Sequence, residues 1–357
     1  MKNIITISGI RPDFIRMSEI FKKLDANFNH TLVHSGQHYD SLLSDVFFTD
    51  LKIRKPDYNL NIGAHGKKHY QQVGDLSTGI IELIENEKLN PDLIIFLGDS
   101  NSVLASVPLK KEGYKIAHVE AGMRSFDRRM FEEINRTVCD VVSDYHFVYH
   151  KNYKEHLISE GLNPENIHVV GNTICEIVEP VAYELLNQPK EKSYILADVH
   201  RPENFNSKER LTNIIIYLNM LYSKFKVPVK LLYFPRLAAK IEEYNINLDN
   251  VKIIPLMPYK SYIASVYHAL CLVSDSGTAQ EEPAFLKTPV IVPRDFTERP
   301  ESEDSQNSYR ININNINLSW EYSVDMIENE RFNFDTSWMT DGFSTSDKII
   351  NILKEVL

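Results

Sequence analysis

Two arginines, Arg11 and Arg16, follow the first apolar run of the chain, Ile4–Ser8, and the second lies about one helical turn beyond the first. Guanidinium forks near an electropositive helix start suit a diphosphate, although a surface arginine pair is the plainer alternative. Neither G-x-G-x-x-G nor a Walker loop is present there, so a dinucleotide or triphosphatase loop is not indicated. Other runs end in Gln37-His38, Gly98-Asp99-Ser100 and His118-Val119-Glu120. Glu132 and Arg136 come next, four residues apart on one helix face, a spacing that also serves ordinary surface salt bridges. A cleft that gathers carboxylates beside arginines can shift their pKa values and support acid–base work. Later, His200 closes a run flanked by Arg201 and Glu203. Ser276-Gly277-Thr278 opens a helix bearing Glu281-Glu282. Hydroxyls and backbone N–H groups at a helix start cradle phosphate, and a carboxylate one turn on can accept both hydroxyls of a ribose.

These residues need elements that bring them together. Ile4–Ser8, Thr31–His34, Leu93–Leu97, Ile116–Glu120, His146–Tyr149 and Ile167–Val170 read as buried strands alternating with amphipathic helices such as Asp13–Ala26 and Asn101–Lys110. Near Gly171–Thr173 the pattern restarts, with strands at Ser193–Val199, Val229–Tyr233, Val251–Ile254, Leu270–Ser274 and Val290–Val292. Its clearest helices are 208–223 and 278–286. Continuous apolar strands separated by helices mean parallel sheets covered on both faces. The expectation is therefore α/β, with two Rossmann-like doubly wound domains, 1–172 and 173–344, and the active site in the interdomain cleft. The closing helix, 345–357, can pack on either domain, including back on the first. The asparagine-rich Asn312–Asn317 reads as an edge or loop. Ligands of such sheets bind beyond the carboxyl ends of the strands, where the polar residues above sit.

At 357 residues, 43% of them hydrophobic and 25% charged, the chain has the composition of a soluble globular protein. A net charge of −10 argues against nucleic acid or an anionic membrane as partner, yet leaves room for an anionic small ligand at a local arginine cluster. Cys139, Cys175 and Cys271 have neither metal-ligand nor redox spacing and read as reduced core residues. No apolar run is long enough to span a membrane and the N-terminus lacks a cleavage-site pattern, so a cytoplasmic location is expected.

Taken in order, the motifs resemble the non-hydrolysing UDP-N-acetylglucosamine 2-epimerase family. They are Gly9-Ile10-Arg11-Pro12-Asp13, Gly98-Asp99-Ser100, His118-Val119-Glu120-Ala121-Gly122, Glu132-Glu133-Ile134-Asn135-Arg136, Gly171-Asn172-Thr173, His200-Arg201-x-Glu203, Asp275-Ser276-Gly277 with Glu281-Glu282, and Thr297-Glu298-Arg299-Pro300-Glu301. The resemblance implies a glycosyltransferase-B type fold and a homodimer. It implies removal of the C2 proton with elimination of UDP to a 2-acetamidoglycal, then re-addition to give the epimer, with no cofactor and no metal. Asp99, Glu120, Glu132, Arg136 and His200 are then the catalytic set. Arg11, Arg16, Gln37, His38, Ser276, Gly277, Thr278, Glu282 and Arg299 are the substrate contacts.

Three departures stand out. Asp13 replaces the family's usual glutamate, Phe234 stands where members carry histidine in a Val-x-His-Pro stretch, and Ser302-Glu303-Asp304-Ser305 replaces a Gly-Thr pattern. In some members that histidine belongs to an allosteric site, so such regulation is not expected here. Val33-His34-Ser35-Gly36-Gln37, Phe47-Phe48-x-Asp50-Leu51, Arg124-Ser125-Phe126-Asp127-x-Arg129 and Ser274-Asp275-Ser276-Gly277-Thr278 resemble the branch acting on UDP-2-acetamido-2,6-dideoxy-L-hexoses. Some of these traits are shared with the epimerase of UDP-diacetamido-glucuronic acid. The alternatives are a UDP-GlcNAc epimerase, a glycosyltransferase of the same fold, a hydrolysing epimerase, and a catalytically silent nucleotide-sugar-binding protein.

Overall fold

Ile4, Ile5 and Ile7 are buried in the first strand, and Leu93 through Leu97 are buried without interruption in a neighbouring one, as strands covered on both faces must be. The structure, a computed structural model, describes residues 1–36, 45–63 and 68–357. The chain divides into two units, Met1–Ile177 with Met339–Leu357, and Val178–Trp338.

The first unit is built on seven parallel strands: β1 (Asn3–Ser8), β2 (Asn29–His34), β3 (Tyr58–Asn59), β4 (Leu93–Leu97), β5 (Ile116–Val119), β6 (Tyr145–Val148) and β7 (Ile167–Val169). Their spatial order is β3-β2-β1-β4-β5-β6-β7. The order reverses between β1 and β4, which pair directly, Ile4 opposite Leu93 through Ile7 opposite Phe96. That reversal opens a crevice at the carboxyl ends of the two strands. One core packs helix His69–Asn86 onto the sheet through Leu76, Ile80 and Ile84. The closing helix, Thr345–Val356, packs against helix Arg11–Asn27, burying Ile349, Ile350 and Leu353. Lys23 reaches Asp347 at 2.6 Å, and the Glu176 carboxylate accepts the Ser346 N–H at 2.9 Å.

The second unit carries β8 (Tyr194–Asp198), β9 (Val229–Leu232), β10 (Val251–Ile254), β11 (Ala269–Ser274), β12 (Val290–Val292) and β13 (Ser308–Arg310). They run parallel in the order β10-β9-β8-β11-β12-β13, with the reversal between β8 and β11. Helix Lys208–Phe225 supplies Leu211, Ile214, Ile215 and Leu218 to its core.

Three local readings change. The edge strands β3 and β13 are too short, at two and three residues, to show a pattern of their own. The asparagine-rich segment is neither edge nor loop. Asn312 accepts the N–H groups of Asn314 and Asn315 and starts a helical turn that continues into helix Ile316–Glu328. The stretch after Ser276 is a tight 3₁₀ turn, Thr278–Gln280, and a single helical turn, Glu282–Phe285, instead of one helix. Among the described residues, no helix is long and apolar enough to cross a membrane.

Candidate active site

In the first unit the candidate residues meet beyond β1, β4 and β5. Helix Arg11–Asn27 starts directly after β1, with Pro12 in its first turn, where a missing N–H costs nothing. Asp13 caps that start, its carboxylate accepting the N–H groups of Gly9 at 3.0 Å and Ile10 at 3.2 Å. The departure from glutamate therefore lies in a helix cap. Burial pushes the Asp13 carboxyl up to about 7, outweighing those two hydrogen bonds. One turn on, the buried Arg16 guanidinium pairs with Glu120, and Arg11 is half-buried at the helix start.

Glu120 follows β5 at φ +68°, a left-handed conformation that costs a non-glycine residue about 1 kcal/mol or more. It turns the chain off the sheet, with the Glu120 N–H donating to Phe147 O at 3.1 Å, and only 3% of the residue stays exposed. Tyr149, at the end of β6, donates to Glu120 Oε2 at 3.4 Å and lies 2.7 Å from the Thr173 hydroxyl. The rule that led to Glu120, a polar residue just past a strand, would also have found Tyr149.

Asp99 follows β4 and pairs with Arg136 of helix Phe131–Val142. The Arg136 guanidinium is almost fully buried, whereas a quarter of the Asp99 side chain remains open. Glu133 also binds Arg136, at 3.1 Å, and accepts the N–H groups of Ser125 and Phe126, both at 2.9 Å. Glu133 thus fixes the loop before its own helix, a role not assigned from the sequence. Its neighbour Glu132 is half-buried in the first helical turn. Asn135 donates to the Asp99 carbonyl at 2.9 Å. Gln37 and His38 lie outside the described residues.

The second unit places its candidates beyond β8 and β11. Ser276, Gly277 and Thr278 are half-exposed in a segment otherwise buried from Cys271 to Ala284, with the two hydroxyls 3.1 Å apart. Beneath them Arg299 is fixed by Glu281 and Glu298, each at 2.6 Å, with all three side chains almost completely buried. Gly277 is there for space: a Cβ on it would come 2.6 Å from Arg299 Nη1. Arg299 therefore braces the turn carrying the hydroxyls. Glu282 is buried and accepts the Tyr259 hydroxyl at 2.8 Å.

His200 is half-buried, its Nδ1 2.9 Å from Asp198, and its ring packs on Phe234 with centroids 5.1 Å apart. Burial opposes a charged ring, but Asp198 and Asp275 outweigh it and raise the His200 pKa. Among the described residues, Asp198, His200 and Asp275 form the one cluster with metal-ligand composition, their ligand atoms within 4.8 Å of one another. Asp275 is already occupied. It accepts the N–H groups of His200 at 2.9 Å and Arg201 at 3.0 Å, and the Asn204 amide at 2.9 Å. That saturation makes it a clamp on the loop after β8.

The first unit thus offers two carboxylates, Glu120 beside Arg16 and Asp99 beside Arg136, of the type that acid–base chemistry uses. The second offers hydroxyls, a small residue and a carboxylate suited to a nucleotide. A family model described as UDP-N-acetylglucosamine 2-epimerase matches residues 22–354. A UDP-N-acetylglucosamine 2-epimerase of Methanococcus maripaludis is 35% identical over 320 residues, covering 85% of this chain and 86% of the relative. A UDP-2,3-diacetamido-2,3-dideoxy-D-glucuronate 2-epimerase of Pseudomonas aeruginosa is 35% identical over 305 residues, covering 83% and 84%. The crystal structure of Methanocaldococcus jannaschii UDP-GlcNAc 2-epimerase in complex with UDP-GlcNAc and UDP superposes with a TM-score of 0.90 at 31% identity, over 99% of this chain and 100% of that one. The chain belongs to the UDP-N-acetylglucosamine 2-epimerase family.

Proposed function

We propose that this chain inverts C2 of a UDP-2-acetamido-2,6-dideoxy-L-hexose, such as UDP-L-RhaNAc to UDP-L-QuiNAc or UDP-L-PneNAc to UDP-L-FucNAc. The broader activity comes with family membership: the chain is an isomerase, a UDP-sugar 2-epimerase acting on UDP-N-acetyl sugars. The L-sugar assignment rests on Arg124-Ser125-Phe126-Asp127-x-Arg129 and Ser274-Asp275-Ser276-Gly277-Thr278. The names of the relatives favour UDP-GlcNAc as the second reading.

The observation that carries the chemistry is the pair of arginine-held carboxylates, Glu120 with Arg16 and Asp99 with Arg136. The C2 proton of a 2-acetamido sugar has no neighbouring carbonyl, so its removal must be coupled to loss of a good leaving group. A carboxylate takes that proton, the C–H electrons form the C1=C2 bond, and the C1–O bond to UDP breaks. A protonated carboxyl then delivers hydrogen to the opposite face of C2 while a UDP oxygen attacks C1. Glu120 and Asp99 serve as the acid–base groups, with Glu132 and His200 completing the catalytic set. Arg16 and Arg136 orient the carboxylates, and Arg11 meets the diphosphate. In the second unit Ser276, Gly277 and Thr278 meet phosphate and Glu282 the ribose, with Arg299 as their brace.

A homodimer fits the exposed apolar stripe of helix Phe131–Val142, where Phe131, Ile134 and Val141 are 66%, 47% and 61% exposed. Light scattering of F131E/I134E should give the mass of one chain where the wild type gives two.

The deciding experiment incubates the protein in D2O with UDP-GlcNAc, UDP-L-RhaNAc and UDP-L-PneNAc and tracks the products by proton NMR. A UDP-linked epimer deuterated at C2 from an L-sugar supports the full proposal, and one from UDP-GlcNAc alone moves the substrate to the D-gluco series. Binding without exchange on any sugar would sink the catalytic reading.

A further inference from the structure

His118 is a histidine in the middle of β5, between Ala117 and Val119, and it is fully buried. An imidazole there is costly unless both ring nitrogens are partnered. Both are. Nδ1 lies 2.6 Å from Asp140 Oδ1 and Nε2 lies 2.8 Å from the Gly98 carbonyl oxygen. Each partner is an acceptor, so the ring donates through both nitrogens and carries a proton on each. The pKa agrees in direction: burial opposes the charge, but Cys139 and Asp140 outweigh it and raise His118 well above its usual value.

Asp140 is itself held. Its second oxygen accepts the Gly122 N–H at 3.2 Å and pairs with Arg124 at 2.7 Å, and Arg124 grips Glu160 through two bonds of 2.8 and 2.6 Å. The imidazole therefore has a fixed base to push from. It holds Gly98, the residue before Asp99. The Gly98 N–H donates to Val119 O at 3.0 Å while its carbonyl accepts from His118, so the residue is gripped on both sides by β5. Gly98 turns at φ +70°, and a Cβ on it would stand 3.9 Å from Glu120 Oε2. The turn that carries Asp99 thus lies against the Glu120 carboxylate.

We propose that His118, braced by Asp140, is a positioning residue that ties the Gly98 turn to β5 and so sets the separation of Asp99 and Glu120. The proposal rests on the reading of these two carboxylates as the acid–base groups. Misplacing such groups by about 1 Å costs on the order of a hundredfold in rate.

Glutamine and asparagine variants separate the two ring nitrogens. In His118→Gln the side-chain amide can stand in for Nε2 and keep the bond to Gly98, whereas His118→Asn can stand in only for Nδ1. C2 deuterium exchange should fall about a hundredfold in kcat for H118N, with KM changed less than about threefold, and H118Q should recover most of that loss. Equal losses in both variants, or a loss that tracks melting temperature, would make His118 a mere core residue and overturn the proposal.

Amide hydrogen exchange over residues 98–102 tests the tie without any turnover. Faster exchange in H118N than in H118Q is expected, and unchanged exchange in H118N removes the tie. A wild type that exchanges no C2 proton would instead defeat the functional reading, leaving the amide measurement to judge the tie alone. Should neither variant fold, ¹⁵N-histidine spectra of the wild type decide. Two protonated nitrogens on His118 at pH 8 support the bond to Gly98, and a bare Nε2 refutes it.

Discussion

The two units share one strand order around their reversal points, β3-β2-β1-β4-β5-β6 in the first and β10-β9-β8-β11-β12-β13 in the second. The residues at the same address differ. Beyond β4 and β5, Asp99 pairs with Arg136 and Glu120 with Arg16, and a quarter of Asp99 is open. Beyond β11 and β12 the comparable carboxylates hold structure. Asp275 clamps a loop, and Glu281 and Glu298 pin Arg299. Their job is to present Ser276, Gly277 and Thr278, the half-exposed residues of that segment. Under the proposed function one topology supplies a reacting end and a holding end, told apart by what the fold leaves open: part of Asp99 in the first unit, and Ser276, Gly277 and Thr278 in the second.

Substitutions should divide along that line. The largest effect belongs to Glu120→Gln, which removes a proton-transferring group and should lower kcat by about 10²–10⁴-fold. UDP affinity, measured by calorimetry, should stay nearly unchanged; a wild-type rate would erase the distinction between the two ends. Glu282→Ala should do the converse, weakening UDP by about tenfold through a lost charged hydrogen bond while saturated turnover persists. A collapse of kcat at saturating substrate would show that the second unit also does chemistry.

Gly277→Ala tests the bracing. The new methyl would press on a guanidinium that Glu281 and Glu298 prevent from moving, at a cost of about 1–3 kcal/mol. Weaker UDP binding with intact C2 exchange at saturation is expected, and unchanged affinity would show that the turn has slack.

The smallest effect concerns Asp13, whose carboxyl is raised from 3.8 to about 7 by burial. A folded-state pKa above the unfolded one stabilises fully below about 4, and that stability is lost as pH rises through about 7. Asp13→Asn keeps an acceptor for Gly9 and Ile10 but has no charge to bury. Its melting temperature should match the wild type at pH 4 and exceed it by a few degrees at pH 8. A difference that shrinks with rising pH would contradict the burial argument.

Much of this is legible in the sequence. Leu93–Leu97 reads as a strand covered on both faces and is one, and the polar residues singled out after such runs, Asp99, Glu120 and Ser276, do lie beyond β4, β5 and β11. β3 and β13 escaped because Tyr58–Asn59 and Ser308–Arg310, at two and three residues, are too short for an alternation to recur, and only pairing with a neighbour makes them strands. Asn312–Asn317 misled because asparagine marks loops and helix caps alike, and only the helix beginning at Ile316 decides between them. Partner choice was hidden as well. Three- and four-residue spacings share a helix face, so nothing in Glu132-Glu133-x-x-Arg136 announces that Glu133 binds both Arg136 and the preceding loop. Nor does the sequence announce that Glu281 and Glu298 both hold Arg299.

The segment Met339–Leu357 belongs to the first unit although the whole second unit precedes it in the chain. Helix Arg11–Asn27, which bears Arg16, leaves the ribosome early but gains its cover from Ile349, Ile350 and Leu353 only after the second unit has been made. Val178–Trp338 can fold while the chain is still growing, whereas the apolar flank of that first helix waits, uncovered, for those three side chains. A chain broken off before Thr345 would carry every residue assigned to chemistry and still leave that flank bare, a surface on which quality control can act.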